Sequence, residues 1–225
     1  MTTFKEFLSE KITHAIGQDL ASAEEVIKLL NKNCSEIVSI YKSRKNKFLY
    51  RGIMSEKSRD KWTGDTHDAD FIFGKSREDR KTVDIDKSDH EVLHNAFLKL
   101  GLKATRKNSI FTVTDKGEAE DWGKIYIIFP FSNTEITWFN LSQLRTEYTY
   151  YKIQDILSDH FSSKRHKDYK DNIAADIKKK IKPEKDDLAS ALIPKRAEVL
   201  VNGQYYGISI NSDLWKKHIK PWLIN

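Results

Sequence analysis

The 225-residue sequence predicts an α+β protein, and three observations carry that prediction. Apolar residues recur at three- and four-residue spacing near the start of the chain, which is typical of amphipathic helices. Short apolar runs follow that do not alternate with helical segments, so no doubly wound parallel sheet is expected. Near the end, Asn202-Gly203 separates two apolar stretches and favours a hairpin with a type I′ turn.

The first helical region is predicted over residues 4–43, with a long amphipathic stretch that opens between Asp19 and Ala23. Its apolar stripe consists of Ile27, Leu30, Cys34, Ile37 and Tyr41. Because Cys34 lies on this stripe, it is expected in the core rather than as a nucleophile. As the only cysteine, it also excludes an internal disulfide framework and a zinc ribbon.

The middle of the chain predicts a short strand, a long loop and a helix. The strand covers Phe48–Tyr50 and is followed by Arg51-Gly52. Residues 55–87 show little periodicity and are predicted to form a loop, and loops of that length are usually functional or disordered. Ser88 is a candidate cap for a helix that runs through Leu100 and ends at Gly101.

Strands dominate the next part of the sequence. They are predicted at 110–114, 125–131 and 135–139. A helical region over 141–182 follows and is broken by Pro183. The last hairpin is predicted over 197–210.

The composition favours a chain that is neither secreted nor embedded in a membrane. Mean hydropathy is −0.63, and no apolar run approaches the roughly 18 residues of a membrane span. The first residues lack the apolar segment of a signal peptide, so a cytoplasmic location is expected. The net charge is +6, and Lys164–Lys185 carries nine basic and four acidic residues. Such a run is usually a solvated face, but it could also follow a phosphate backbone.

A metal-binding alternative rests on His90-Glu91-Val92-Leu93-His94. On a helix, the two histidines share one face and could hold zinc, with Glu91 activating a water molecule. The third ligand is not evident, because the next histidine is His160 and nothing marks Glu118 or Glu120 as ligands. A zinc-dependent hydrolase therefore stays an alternative beside two polar surface histidines.

Five motifs follow one another along the chain in a set order. They are Tyr50-Arg51-Gly52, Arg106-Lys-Asn-Ser109-Ile-Phe-Thr112-Val-Thr114, Ala119-x-x-Trp122-Gly123, the apolar strand from Ile125 to Pro130, and Arg196-Ala-Glu198-Val-Leu-Val201. This order resembles the arginine–serine–glutamate class of ADP-ribosyltransferases. With Arg77-Glu-Asp-Arg80, it looks especially like phage-encoded members and related bacterial toxins. The resemblance covers about residues 48–210.

The resemblance implies an ADP-ribosyltransferase-like split β-sandwich, with NAD in a cleft between two small packed sheets. Residues 1–45 would form an N-terminal helical segment and residues 46–225 the catalytic domain. The helical region before the last hairpin would be an insertion. Trp122 and Tyr126 are expected in the core rather than stacked on the cofactor.

The resemblance also assigns roles to individual residues. Glu198 is the candidate catalytic carboxylate, which would stabilise the positive charge that develops on the ribose. Arg51 would bind the diphosphate or ribose of NAD, and Gly52 would let the backbone approach the nicotinamide amide. A strand hydroxyl would orient the arginine, the glutamate or the ribose. The remaining candidates for the NAD site are Arg80, Ser109, Thr112 and Thr114.

The acceptor of the ADP-ribose is expected to be a macromolecule, either protein or nucleic acid (RNA or DNA). Arginine-modifying members carry Glu or Gln two residues before the catalytic glutamate, whereas this chain has Arg196. A cation there would repel an acceptor guanidinium, which argues against protein arginine as the target and makes nucleic acid an equal alternative to protein. By resemblance, the protein is a phage effector or a bacterial anti-phage toxin, with an antitoxin or a host target protein as partner. A nucleic-acid-binding module without catalysis is a further alternative.

Overall fold

A computed structural model describes residues 14–15, 22–53, 69–76, 78, 87–144, 149–162, 169–185 and 187–224. Within these residues the architecture is α+β with an open antiparallel sheet, which confirms the predicted class. Helices cover both faces of parts of this sheet, and the sheet brings the predicted motifs together.

The sheet has nine strands in the described part of the chain. They are β1 (His14–Ala15), β2 (Tyr50–Ile53), β3 (Phe71–Lys75), β4 (Ile110–Val113), β5 (Lys124–Pro130), β6 (Glu135–Asn140), β7 (Glu184–Lys185), β8 (Ala197–Asn202) and β9 (Gln204–Ser209). Their order is β1-β3-β9-β5-β2-β4-β8-β6-β7, and neighbouring strands are antiparallel.

The sheet consists of two halves joined by a single bridging pair. We name β1, β3, β9, β5 and β2 the first half-sheet, and β4, β8, β6 and β7 the second half-sheet. β2 pairs with β4 only through Tyr50 and Val113. Elsewhere the ladders are long: four residue pairs join β4 to β8, and six join β6 to β8. The junction between β2 and β4 is therefore the narrowest connection in the sheet.

The helices of the described residues lie between and beside the strands along the chain. They are α1 (Ala23–Asn33), α2 (Ser35–Ser43), α3 (Lys87–Lys99), α4 (Lys116–Glu120), α5 (Leu141–Leu144), α6 (Thr149–Ser162), α7 (Tyr169–Lys180), α8 (Leu188–Ala191) and α9 (Lys220–Ile224), with a π-helix over Leu214–Ile219. The last two elements, next to the C-terminal end, were not predicted from the sequence.

The first helices pack against strands of the first half-sheet. Ser22 caps α1 in a capping box with Glu25, so the helix begins close to the predicted opening. Tyr41 and Cys34 are fully buried in the same cluster as strand β5. The Cys34 thiol donates to the carbonyl of Phe129 at 3.3 Å, and burial raises its pKa to about 12. Both observations agree with Cys34 as a core residue.

A second hydrophobic cluster lies on one face of the second half-sheet. Leu200 and Phe139 pack there with residues of α3, α6 and α7. Glu198 lies directly opposite Phe139 on the neighbouring strand and two residues before Leu200 on β8. Its side chain therefore lies on the same face of the sheet as both of them. Its carboxylate is consequently placed at the edge of a buried apolar cluster.

The predicted final hairpin is wrong, because β8 and β9 do not pair. β8 lies between β4 and β6, whereas β9 lies between β3 and β5, so Gly203 carries the chain from one half-sheet to the other. Gly203 has a φ of 150°, and Asn202 has no positive φ, so the turn is not type I′. Ser76 holds the crossing, since its hydroxyl accepts from the Gly203 amide at 2.9 Å.

Two other predictions differ from the structure. His14–Ala15, inside the predicted first helical region, form a strand that pairs with β3. Phe71–Lys75, inside the predicted loop, form β3 itself, because Phe71 and Ile72 are buried against β9. Both strands form by pairing with a segment distant in sequence. The helical region predicted over 141–182 is confirmed in its described part, which contains α5, α6 and α7.

Candidate active site at the junction of the two half-sheets

The junction brings together the strands that carry the two charged residues which the sequence singled out, Arg51 and Glu198. Tyr50 lies opposite Val113, and Val113 lies opposite Glu198. Arg51 follows Tyr50, so it lies one residue from this row and two strands away from Glu198. Because neighbouring strands are about 4.8 Å apart, the two strands are separated by roughly 10 Å.

Glu198 is a buried carboxylate with a cationic partner. Its side chain is 6% exposed, and Oε1 accepts a hydrogen bond from Nη1 of Arg106 at 3.2 Å. The guanidinium of Arg106 also lies 4.5 Å from the centre of the Phe111 ring. Taking a carboxylate out of water is costly, and Arg106 compensates that cost. Sequence reasoning missed Arg106, although it begins the motif that contains Ser109.

Arg51 is held against strand β4. Its Nη1 donates to the carbonyl oxygen of Phe111 at 2.9 Å, across the junction between the half-sheets. This bond fixes the guanidinium near the strand that separates it from Glu198. A planar group with several donors in fixed geometry suits the recognition of a phosphate or a ribose.

Two threonines of the predicted NAD site bind the backbone on either side of Glu198. The Thr112 hydroxyl donates to the carbonyl of Val199 at 2.9 Å. The Thr114 hydroxyl accepts from the amide of Ala197 at 2.8 Å. Both threonines are buried. Their bonds therefore hold the main chain of Glu198, which corresponds to the predicted option that a strand hydroxyl orients the glutamate.

The other predicted members of the NAD site have different surroundings. The Ser109 hydroxyl, also buried, donates to Oδ1 of Asn108 at 3.1 Å. At Gly52, a Cβ would come within 2.1 Å of the Ala119 carbonyl oxygen and 2.6 Å of the Trp122 Cβ. The face of Gly52 where a side chain would lie is thus filled by α4 and the following turn. Arg80 lies outside the described residues.

A second carboxylate lies close enough to Glu198 for the two negative charges to interact. Glu118, on α4, is ion-paired with Arg196, whose Nε and Nη2 both contact Oε1 of the glutamate. Its other oxygen, Oε2, is buried and accepts no hydrogen bond within the described residues. Burial raises the pKa of Glu118 against the opposing effect of Arg196, and the negative charges of Asp115 and Glu198 add to the increase.

The position of Arg196 before Glu198 suggested a positive charge that would repel a cationic acceptor. In the structure, Glu118 neutralises that charge. The guanidinium of Arg196 is engaged by Glu118, so its effect on an approaching cation is reduced. Sequence reasoning considered Glu118 only as a metal ligand. The signal that could have found it is its position next to Ala119, in the motif that ends at Trp122-Gly123.

The histidine motif lies beside this site but is not arranged around a common point. Glu91 accepts from Lys107 at 2.6 Å, and His94 is hydrogen-bonded to Thr105 at 2.9 Å. His90 is buried, and burial together with the nearby Arg106 lowers its pKa to about 4. Over the described ranges, no three His, Cys, Asp or Glu side chains form a group that could hold a metal ion.

The structure places Trp122, Tyr126 and part of the basic run Lys164–Lys185. Trp122 is 51% exposed, so its expected place in the core is wrong, whereas Tyr126 is fully buried as expected. The described part of the basic run forms α7 and β7, and Lys178, Lys179 and Lys180 at the end of α7 are exposed. Lys180 pairs with Asp159 at 3.2 Å.

Comparison with known proteins did not identify relatives. Profiles of protein families, curated proteins and solved structures all returned no match. Among the helices described, none combines the length and the apolar composition that crossing a membrane requires.

Proposed function

We propose that the protein is an NAD-dependent mono-ADP-ribosyltransferase. The observation that carries the proposal is the junction of the half-sheets, where motifs distant in sequence meet on three neighbouring strands. Arg51 on β2 and Glu198 on β8 lie on either side of β4. The threonines of β4 hold the backbone of the glutamate. A nearly divided antiparallel sheet also agrees with the split β-sandwich that the sequence resemblance implies.

The side chains at the junction suit a dinucleotide that carries a cationic nicotinamide. Arg51 and Arg106 are the cations that would hold its diphosphate. Glu198 would lie beside the ribose that bears the nicotinamide. When bound, NAD supplies an activated ribose whose bond to nicotinamide breaks with the electron pair leaving on the ring.

Glu198 would contribute electrostatic stabilisation to this reaction. Its carboxylate is buried, and a charge acts more strongly in surroundings from which water is excluded. Thr112 and Thr114 hold the backbone on either side of it, and Arg106 holds the carboxylate itself, so little ordering is left for the reaction. The ion pair with Arg106 compensates the buried negative charge of Glu198.

The acceptor and the biological role belong to the same proposal. The acceptor is a nucleic acid or a protein, and the basic composition and the exposed lysines of α7 agree with the former. The protein is proposed to act in the cytoplasm as a phage effector or an anti-phage toxin. An antitoxin or a host target protein would be its partner.

Nicotinamide release from labelled NAD tests the proposal. We expect release by the wild type and a loss of about a thousandfold in Glu198→Gln. The matched control is Glu184→Gln, since Glu184 is an exposed glutamate of the same half-sheet. Thermal unfolding of both variants checks the fold.

Two outcomes would contradict the proposal. The first is the absence of nicotinamide release by the wild type with any fraction of RNA, DNA or protein. The second is an activity that survives Glu198→Gln and disappears with a chelator, which would favour the zinc hydrolase of His90 and His94. Binding to nucleic acid without release would favour the non-catalytic module.

A further inference from the structure

We propose that Glu118 is the acceptor-side carboxylate of this site: it binds the N–H group of the acceptor, an exocyclic amine of a nucleobase, and takes its proton. The proposal rests on the proposed function, because it names the residue and the acceptor for the same transfer. It adds a residue of α4 to a site that otherwise consists of strand residues and Arg106, which lies in the turn before β4.

The position of Glu118 is set by two independent contacts of α4. Asp115 caps the helix, and its Oδ1 accepts from the amide of Gly117 at 2.8 Å. The helix also lies directly against β2, since the Ala119 carbonyl occupies the space that a Cβ on Gly52 would need. Glu118, between these contacts, is therefore presented at the junction in one orientation.

The contacts of Glu118 leave one carboxylate oxygen available. Arg196 binds Oε1 through both Nε and Nη2. Oε2 has no donor among the described residues, although the side chain is only 10% exposed. Buried polar atoms without a partner are rare in folded proteins and point to a missing donor. The N–H group of a bound acceptor would be such a donor, next to Glu198.

The charges at the site favour a neutral acceptor. Arg106 pairs with Glu198, and Arg196 pairs with Glu118, so these four side chains carry no net charge. A cationic acceptor such as a protein guanidinium would meet no net negative charge there. A neutral amine needs only the lone pairs of Glu118 Oε2.

An exposed aromatic side chain next to α4 favours a nucleobase among neutral amines. Trp122 follows the helix by two residues and is 51% exposed. Single-stranded nucleic acids are commonly recognised by stacking of bases on such aromatic surfaces. The net charge of +6 adds attraction for the phosphate backbone.

The proposed step is balanced in atoms and charge. The bond between ribose C1′ and the nicotinamide nitrogen breaks, and its electron pair leaves with neutral nicotinamide. The lone pair of the acceptor amine forms the new bond to C1′. The proton of that amine passes to Oε2 of Glu118, which later releases it to water.

The test compares transfer with hydrolysis in Glu118→Gln. Labelled NAD is incubated with total RNA, heat-denatured DNA or protein extract, and both label incorporation and nicotinamide release are measured. We expect incorporation into RNA or DNA, and a ratio of incorporation to release about a hundredfold lower in Glu118→Gln. Glu120→Gln, which removes an exposed carboxylate of the same helix, should keep the wild-type ratio.

Each other outcome overturns a stated part of the proposal. An unchanged ratio in Glu118→Gln removes Glu118 from the acceptor side while leaving the proposed function intact. Label in protein alone removes the nucleobase acceptor. No nicotinamide release by the wild type removes the proposed function and this inference together. If Glu118→Gln is unfolded by circular dichroism, Glu118→Asp withdraws the carboxylate by one methylene and is held to the same ratio.

Discussion

The surroundings of Tyr41 and of Glu198 differ in whether buried polar atoms have hydrogen-bond partners. The Tyr41 hydroxyl donates to the carbonyl of Ile128 at 2.6 Å and accepts from the amide of Leu49 at 3.0 Å. Near Glu198, in contrast, Glu118 Oε2 and His90 Nε2 are buried without a hydrogen-bond partner in the described structure.

Under the proposed function, this difference is the one expected between packing that stabilises the fold and a site that binds a ligand. Satisfied hydrogen bonds in an apolar cluster rigidify it and leave nothing for a ligand to bind. Buried groups without partners lower stability, and they are tolerated where a bound molecule supplies the missing contact. Mutations at the junction of the half-sheets are therefore expected to change activity, with or without a loss of stability. Mutations around Tyr41 are expected to change stability alone.

The largest expected effect comes from Gly52→Ala, which tests the junction. The new Cβ would lie 2.1 Å from the backbone oxygen of Ala119, so α4 must move. We expect the free energy of unfolding to fall by about 3 kcal/mol, as for other overpacked sites. Incorporation of ADP-ribose should also be lost, because Glu118 moves with the helix.

Denaturant unfolding and the labelling assay measure the two effects of Gly52→Ala. The alanine variant of Gly117, an exposed glycine of α4, is the control, since its Cβ would only approach the Asp115 side chain at 3.1 Å. Wild-type stability in Gly52→Ala would contradict the tight packing of α4 on β2.

A smaller effect on stability is expected from Tyr41→Phe in α2. The change removes the donor to Ile128 and the acceptor for Leu49 in a fully buried position. We expect a loss of about 2 kcal/mol in the free energy of unfolding. Nicotinamide release should stay at the wild-type rate below the unfolding transition.

The comparison fails if Tyr41→Phe reduces nicotinamide release while the protein is still folded. The two regions would then be coupled rather than separate. Measuring both properties on the same preparation, at a temperature well below the midpoint of unfolding, distinguishes the cases.

The smallest expected effect is the pH dependence that His90 contributes. Its pKa is about 4 in the folded protein, mainly because of burial and then because of Arg106. Between that value and the ordinary 6.5, the unfolded chain binds a proton that the folded chain does not. Stability therefore falls as the pH drops, by about 1 kcal/mol from this group between pH 7 and 5.5.

Urea unfolding of the wild type and of His90→Gln at the two pH values isolates that contribution. The wild type should lose more stability than the variant over this interval. Equal losses would mean that His90 is protonated in the folded protein. Lys107 and His94 also lower the pKa of His90, whereas Glu91 raises it. Because other groups titrate over the same pH range, the difference between wild type and variant isolates the contribution of His90.

Local patterns in the sequence predicted the features that depend on neighbouring residues. The strands β4, β5 and β6 and the helix that ends near Gly101 correspond to described elements. The amphipathic stretch around Cys34 is also helical, but it is divided at Cys34 into α1 and α2. The loop predicted over residues 55–87 is wrong at β3. The apolar residues of β3 show no alternation and form a strand only by pairing with β9.

The site was predictable in part. Arg51 and Glu198 were selected by motif order, and the structure brings their strands to the same junction. Arg106 and Glu118 were missed as partners, since nothing in a linear pattern indicates which buried charges meet.

By itself, the sequence determined the α+β class and the order of the motifs, because both follow from residue type and spacing along the chain. Tertiary structure alone decided that β8 and β9 part at Gly203, that one bridge joins the half-sheets, and that two Arg–Glu pairs lie side by side. Strand pairing is a competition among segments far apart in sequence. Its outcome depends on which partners bury the most apolar surface and satisfy the most backbone hydrogen bonds.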